Sequence, residues 1–163
     1  MFETVVLIAQ ILMLTAIAAW MTTGVWDNIV HPSNNETFTA EVMEMSRMRE
    51  GYPEAFARVA HRAITSRGLQ RLAFRFVVLA ELVAAVVLWS GVLLLTLHLF
   101  GSASADAAMA ISLLGATLFT CVWAGFLVVG NYFCYWFAHE WAQNTHYQMT
   151  FWGLGTMIFL VVS

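Results

Sequence analysis

The chain contains no lysine. Its seven basic residues are all arginine, set against ten acids for a net charge of −3. With no basic run, nucleic acid is excluded as a partner. Charge of either sign is scarce: 10% of 163 positions, where a soluble domain carries about a quarter. Apolar residues make up 61%, and the mean hydropathy is +0.75. So few charges cannot keep that much apolar surface in water, and an integral membrane protein is expected. Cysteine is equally sparse. Cys121 and Cys134 lie 13 residues apart in one apolar segment, about 20 Å apart on a helix and beyond disulfide reach. They read as buried, inert thiols. No basic residue precedes Val5, so the first apolar segment reads as a retained helix rather than a secretory signal. No nucleophile elbow, phosphate loop, CxxC or EF-hand pattern is present, and no enzyme is announced.

Four apolar runs are present. The spacing predicts spans over 5–26, 72–100, 107–137 and 146–162. The last is a segment of only 14 residues, 149–162, and borrows residues 145–148 to approach the ~20 needed. The third is longer than a bilayer requires and projects past the lipid at 131–137. The expected fold is all-α: a single membrane domain over 1–163, a four-helix bundle with an extramembrane insert over 27–71.

That insert holds six of the seven arginines. It opens on DNIVHPSNNET, rich in turn and cap residues. Phe38, Val42 and Met45 then share one helical face. In the next stretch Pro53 suits a first helical turn and Gly68 a C-terminal stop. Glu54, Arg58 and Arg62 sit four apart, as in surface ion pairs, with Phe56, Ala60 and Ala63 opposite. Two short amphipathic helices in the headgroup region are expected. Arginine bias (Arg58, Arg62, Arg67, Arg71, Arg75) puts the insert in the cytoplasm and both termini outside.

With four spans, the insert, the start of the second span, the end of the third and the 139–146 connection share one membrane side in either orientation. The polar residues gathering there are Arg62, Glu81, Asn28, Asn131, His61, His139 and His146. Glu81 is the only acid inside a span and must face the bundle to find a partner or a proton. Arg62, Asn131 and Asn28 are its candidate partners. It reads either as a structural hydrogen-bonded tie or as a proton or substrate site.

The stretch HEWAQNTHYQM starts like a zinc protease helix, but Gln143 stands where the second histidine belongs. A zincin needs histidines at i and i+4 to bring both imidazoles to one metal, so no metal is assigned. The stretch reads as a wet turn between two spans, within an aromatic belt of Tyr135, Trp136, Trp141, Tyr147 and Trp152. Haem needs axial ligands such as histidine; His61 with His139 or His146 is the open pairing. In the third span Ala108, Ser112, Ala116, Thr120 and Ala124 recur every four residues. Such small side chains allow close helix approach, within the bundle or to another subunit.

Ordered pieces along nearly the whole chain carry a resemblance. They are VWDNI, the Asn34–Asn35 region, VMEM, Pro53, RAI at 62–64, and Glu81 with Trp89. GFLVVGNYFCYW, EW at 140–141 and QMTFW complete the set. The set resembles a family of small bacterial integral membrane proteins of unassigned function, domain of unknown function 2165. The resemblance implies four spans with an insert after the first, and no reaction. It also leads one to expect glutamate where this chain has Asn131, which removes an acidic role there. The preferred reading is a non-enzymatic protein of the bacterial inner membrane. It would be an accessory or assembly subunit of a membrane complex, or a small homo-oligomer, with lipids, other membrane subunits or itself as partners. No cofactor is assigned. The alternative is a ligand-binding or redox-linked protein holding quinone, haem or lipid near Glu81.

Overall fold

The computed structural model describes residues 1–162, and these are almost entirely helical. Three helices are long and apolar enough to cross a membrane: α1 (Phe2–Val30), α5 (Arg67–Leu99) and α6 (Ala105–Tyr132). A further long helix, α7 (Glu140–Val162), has polar residues through its first turns. Between α1 and α5 lie α2 (Pro32–Glu44), α3 (Ser46–Gly51), α4 (Pro53–Val59) and a 3-10 turn (Ala60–Arg62). α5 packs against α1 and α6, and α7 packs against α6. Leu14, Ile17, Met21, Leu88, Phe119 and Leu160 form the fully enclosed centre.

Large apolar side chains face outward as well as inward. Leu12, Phe76, Leu79, Leu93, Val128 and Phe151 are exposed. A continuous apolar exterior on this scale is untenable in water and ordinary in lipid. The hydroxyls obey the same logic. Thr15, Thr22, Ser90, Thr96 and Ser112 each donate to the carbonyl four residues back, at 2.7 or 2.8 Å. A buried or lipid-facing O–H finds its acceptor within its own helix.

The small residues of α6 meet other helices of the same chain. Ala108, Ser112 and Ala116 are fully buried. A Cβ on Gly91 of α5 would come within 2.8 Å of the Ser112 Cα, and one on Gly115 within 3.0 Å of the Leu88 backbone. On α7, a Cβ on Gly153 would collide with the Thr120 hydroxyl and the Phe119 ring. α5 and α6 are joined by a short turn. Gly101, at φ 73, donates its N–H to the His98 carbonyl, and the Ser104 hydroxyl accepts the Ala107 N–H at 3.2 Å to start α6.

Four local expectations are corrected. The insert has three α-helices and a 3-10 turn, not two helices, because Met45 adopts a left-handed conformation (φ 53) that breaks the first one. Met45 therefore leaves the Phe38–Val42 face and buries with Met43, Met48, Phe133 and Cys134. Pro53 does open α4, but Gly68 ends nothing. It lies in the first turn of α5, and the chain leaves the insert at Ala63, which is extended. The Glu54–Arg58–Arg62 ladder forms no ion pair among the described residues. The arginines that pair are Arg47 with Glu41, Arg67 with Glu44 and Arg71 with Glu36. Finally, the reversal between α6 and α7 falls at 133–139, not at 139–146. Cys134 supplies a left-handed residue (φ 53), a 3-10 turn follows (Tyr135–Phe137), and α7 begins at Glu140. Asn144 and Thr145 do not interrupt it; the Thr145 hydroxyl donates back to the Trp141 carbonyl at 3.1 Å.

Candidate functional site

At the insert end, α1, α2, α5, α6 and α7 line a half-open cavity of about 350 Å3. Each wall follows from a local sequence feature. α5 contributes Ala73, Phe74, Val77 and Glu81, positions that recur along one helical face. α6 contributes Trp123, Phe126 and Gly130, spaced three and four apart. The α6–α7 reversal brings Tyr135 back over Gly130, where a Cβ would meet the ring at 2.7 Å. Glycine is needed there for close approach rather than for its dihedral freedom. α7 supplies His146, two turns into the helix, with Trp141 and Thr145, while α2 lies over the top with Asn35, Phe38 and Met43.

Polar groups occupy two sides. On one, Asn28 donates from Nδ2 to Glu81 Oε2 at 2.7 Å, and Asn35 donates to Asn28 Oδ1 at 2.6 Å. Glu81 and Asn28 are both buried. On the other, the His146 imidazole stacks on Phe126 at 4.8 Å and on Tyr135 at 5.9 Å, with the Trp123 ring 5.7 Å away. Three buried polar atoms have no partner among the described residues: Trp123 Nε1, the Tyr135 hydroxyl and His146 Nδ1. All three belong to residues lining this cavity. Exposed Phe38 and Trp141, from α2 and α7, meet edge to face at 5.6 Å.

The two lining groups of the α6–α7 turn have shifted proton affinities. Burial pushes the Tyr135 phenol up to about 12, with Tyr147 acting in the same direction. Burial pulls the His139 imidazole below its ordinary range; Arg47 adds to this and Glu41 opposes it. Both groups are therefore neutral around pH 7.

Of the seven residues expected at the polar end, Asn28, Glu81, His139 and His146 line the cavity; Arg62, Asn131 and His61 do not. Of the three candidate partners for Glu81, Asn28 is the one bonded to it. Arg62 instead donates to the Tyr132 carbonyl at 3.3 Å and lies over the Tyr132 ring. Asn131 and His61 are exposed. Of the five belt aromatics, Trp136, Trp141 and Tyr147 are exposed, whereas Tyr135 is buried and Trp152 half-buried against the core. Trp123, Phe126, Gly130 and Asn35 were not anticipated as site residues. Phe119, Trp123, Phe126 and Gly130 do share one α6 face, a pattern masked by the neighbouring repeat of small residues. Among the described residues no three His, Cys, Asp or Glu side chains converge as a metal site would require.

Chemically, the cavity can enclose an apolar body and offer it hydrogen bonds from two sides. Comparison with curated proteins and with solved structures returns no match. A family model does match, described as predicted small integral membrane protein (DUF2165); it spans residues 6–163, all four long helices and the insert included, and the chain belongs to that family.

Proposed function

We propose that this protein binds a small amphipathic molecule within the membrane, in the cavity between Glu81 and His146. One observation carries the reading: the three buried polar atoms without a partner all belong to residues lining one cavity. Leaving such an atom unpaired costs about 1–3 kcal/mol, and a molecule bearing hydrogen-bonding groups would remove that cost. The volume lies at the lower end of the ~300–1,000 Å3 typical of small-molecule sites, and the lining is mainly apolar with a few polar groups.

In this reading α7 is a fourth span. Its 23 residues reach about 35 Å, with the polar first turns among the headgroups and the apolar remainder in the hydrocarbon. The insert, bearing most of the arginines, is cytoplasmic by the positive-inside rule, in a bacterial inner membrane. A role as accessory subunit or homo-oligomer is less favoured. The small-residue face that would have served as its interface is largely used inside the chain, by Gly91, Leu88 and Gly153.

The test is extraction of the protein from native membrane in lipid nanodiscs, followed by mass spectrometry of what travels with it. Wild type should carry one small molecule per chain, and Val77→Phe, which fills the cavity, should lose it. An empty wild-type protein, or one whose bound molecule is unaffected by Val77→Phe, contradicts the reading.

A further inference from the structure

We propose that the molecule taken by this cavity is a lipophilic organic cation, with Glu81 as its counter-ion; the inference rests on the binding reading above. Among the described residues Glu81 is the only acid lining the cavity, and no arginine lines it. The charged groups around it are engaged or turned away. Arg47 pairs with Glu41, Arg67 with Glu44 and Arg71 with Glu36. Arg62 is held at Tyr132. Arg75 lies six residues before Glu81 on α5 and is exposed, about 240° around the helix. Asn28 gives the carboxylate one hydrogen bond but no charge.

A carboxylate in a low-dielectric site needs a compensating positive charge or a proton. The remaining lining suits the first. Phe74, Trp123, Phe126, Tyr135 and Trp141 present aromatic rings around the space, and ring faces attract cations, the more so when water is excluded. An anionic headgroup would meet Glu81 and no arginine. A neutral compound would leave the carboxylate without a counter-charge. His139 and His146 also line the space. Burial and Arg47 disfavour the charged form of His139, so it does not supply the missing charge.

The experiment uses three probes of similar shape and different charge on the full chain in nanodiscs: tetraphenylphosphonium, tetraphenylborate and triphenylphosphine oxide. Equilibrium dialysis should give saturable binding of tetraphenylphosphonium at one per chain. The borate and the neutral oxide should bind at least tenfold more weakly. Glu81→Gln keeps an acceptor for Asn28, so its unfolding temperature should stay close to wild type while phosphonium affinity falls at least tenfold. Should that variant not fold, the comparison of the three probes on wild type decides alone. Equal binding of phosphonium and borate, preference for the neutral oxide, or no saturable phosphonium binding overturns the cation assignment. A neutral native molecule found by mass spectrometry also overturns it but leaves the binding reading intact, whereas an empty native protein ends both.

Discussion

Asn28 has two bonds to keep. It donates to Glu81 and accepts from Asn35, so one side chain joins α1, α2 and α5. Asn28→Leu would strip a buried carboxylate of its hydrogen bond and leave the Asn35 amide without its acceptor. The expected cost is about 2–4 kcal/mol, measured as a drop in thermal unfolding temperature in detergent. A variant as stable as wild type would mean that the chain of amides holds nothing together. His139 offers a second residue-scale prediction. Its folded-state proton affinity lies below the ordinary value, because burial and then Arg47 disfavour the charged form, against Glu41. The unfolded chain therefore binds the proton more readily. Stability is complete above about pH 6.5 and declines as pH falls from there toward the lower folded-state value. His139→Gln should flatten that part of the pH–stability curve, and an unchanged slope would contradict the assignment. Glu81 was legible in the sequence, since an acid in an apolar run must be explained. Asn28 was legible only as one of three partners. The choice among them depends on side-chain direction across helices, which spacing along one helix does not give.

At the scale of elements, the decisive contacts are made by residues with almost no side chain. Gly91→Ala would bring a Cβ to 2.8 Å from the Ser112 backbone and 3.0 Å from Leu14. Because backbone cannot move aside as a flexible side chain would, the substitution should destabilise by about 1–3 kcal/mol. Gly125→Ala is the control: nothing lies within 4 Å of the added atom, so stability should be unchanged or slightly raised. Equal effects of the two in a thermal unfolding assay would contradict the α5–α6 packing. The repeat of small residues in α6 announced a close helix contact, but not which helix. Gly91, the other half of that contact, lies on the buried Ala84–Leu88–Gly91–Leu95 face of α5, but the apolar run around it hides that face in the sequence. The turns were harder still. Cys134 and Met45 both take left-handed conformations without being glycine or asparagine, so nothing in residue type marked the breaks. The apolar run through 133–137 looked like more helix. It is a buried reversal in which Phe133 and Cys134 cover the methionine cluster of the insert.

The whole molecule is polarised along its long axis. One end carries the insert, the α6–α7 reversal and the cavity beside Glu81; at the other lie the short turn around Gly101 between α5 and α6 and a second hollow lined by Glu3, Gln10, His98 and Met109. Composition indicated a membrane protein, because apolar content responds to lipid directly; the apolar runs located the long helices but not the break after Tyr132. The cavity was not legible, since it is lined by five helices whose relative rotation the linear pattern leaves open. Topology gives the prediction at this scale. With Cys121 and Cys134 replaced, single cysteines at Ser66 and at Ser102 should label from opposite sides of the membrane, and one at Val162 should label with Ser102. Labelling of Val162 with Ser66 would mean that α7 does not cross. The central claim, that the cavity holds a molecule, is tested most directly by a high-resolution density map of the protein in native lipid. The account predicts non-protein density beside Glu81, within hydrogen-bonding distance of Trp123 Nε1 or His146 Nδ1. A cavity holding only water, or collapsed so that these atoms bond to protein, would contradict it.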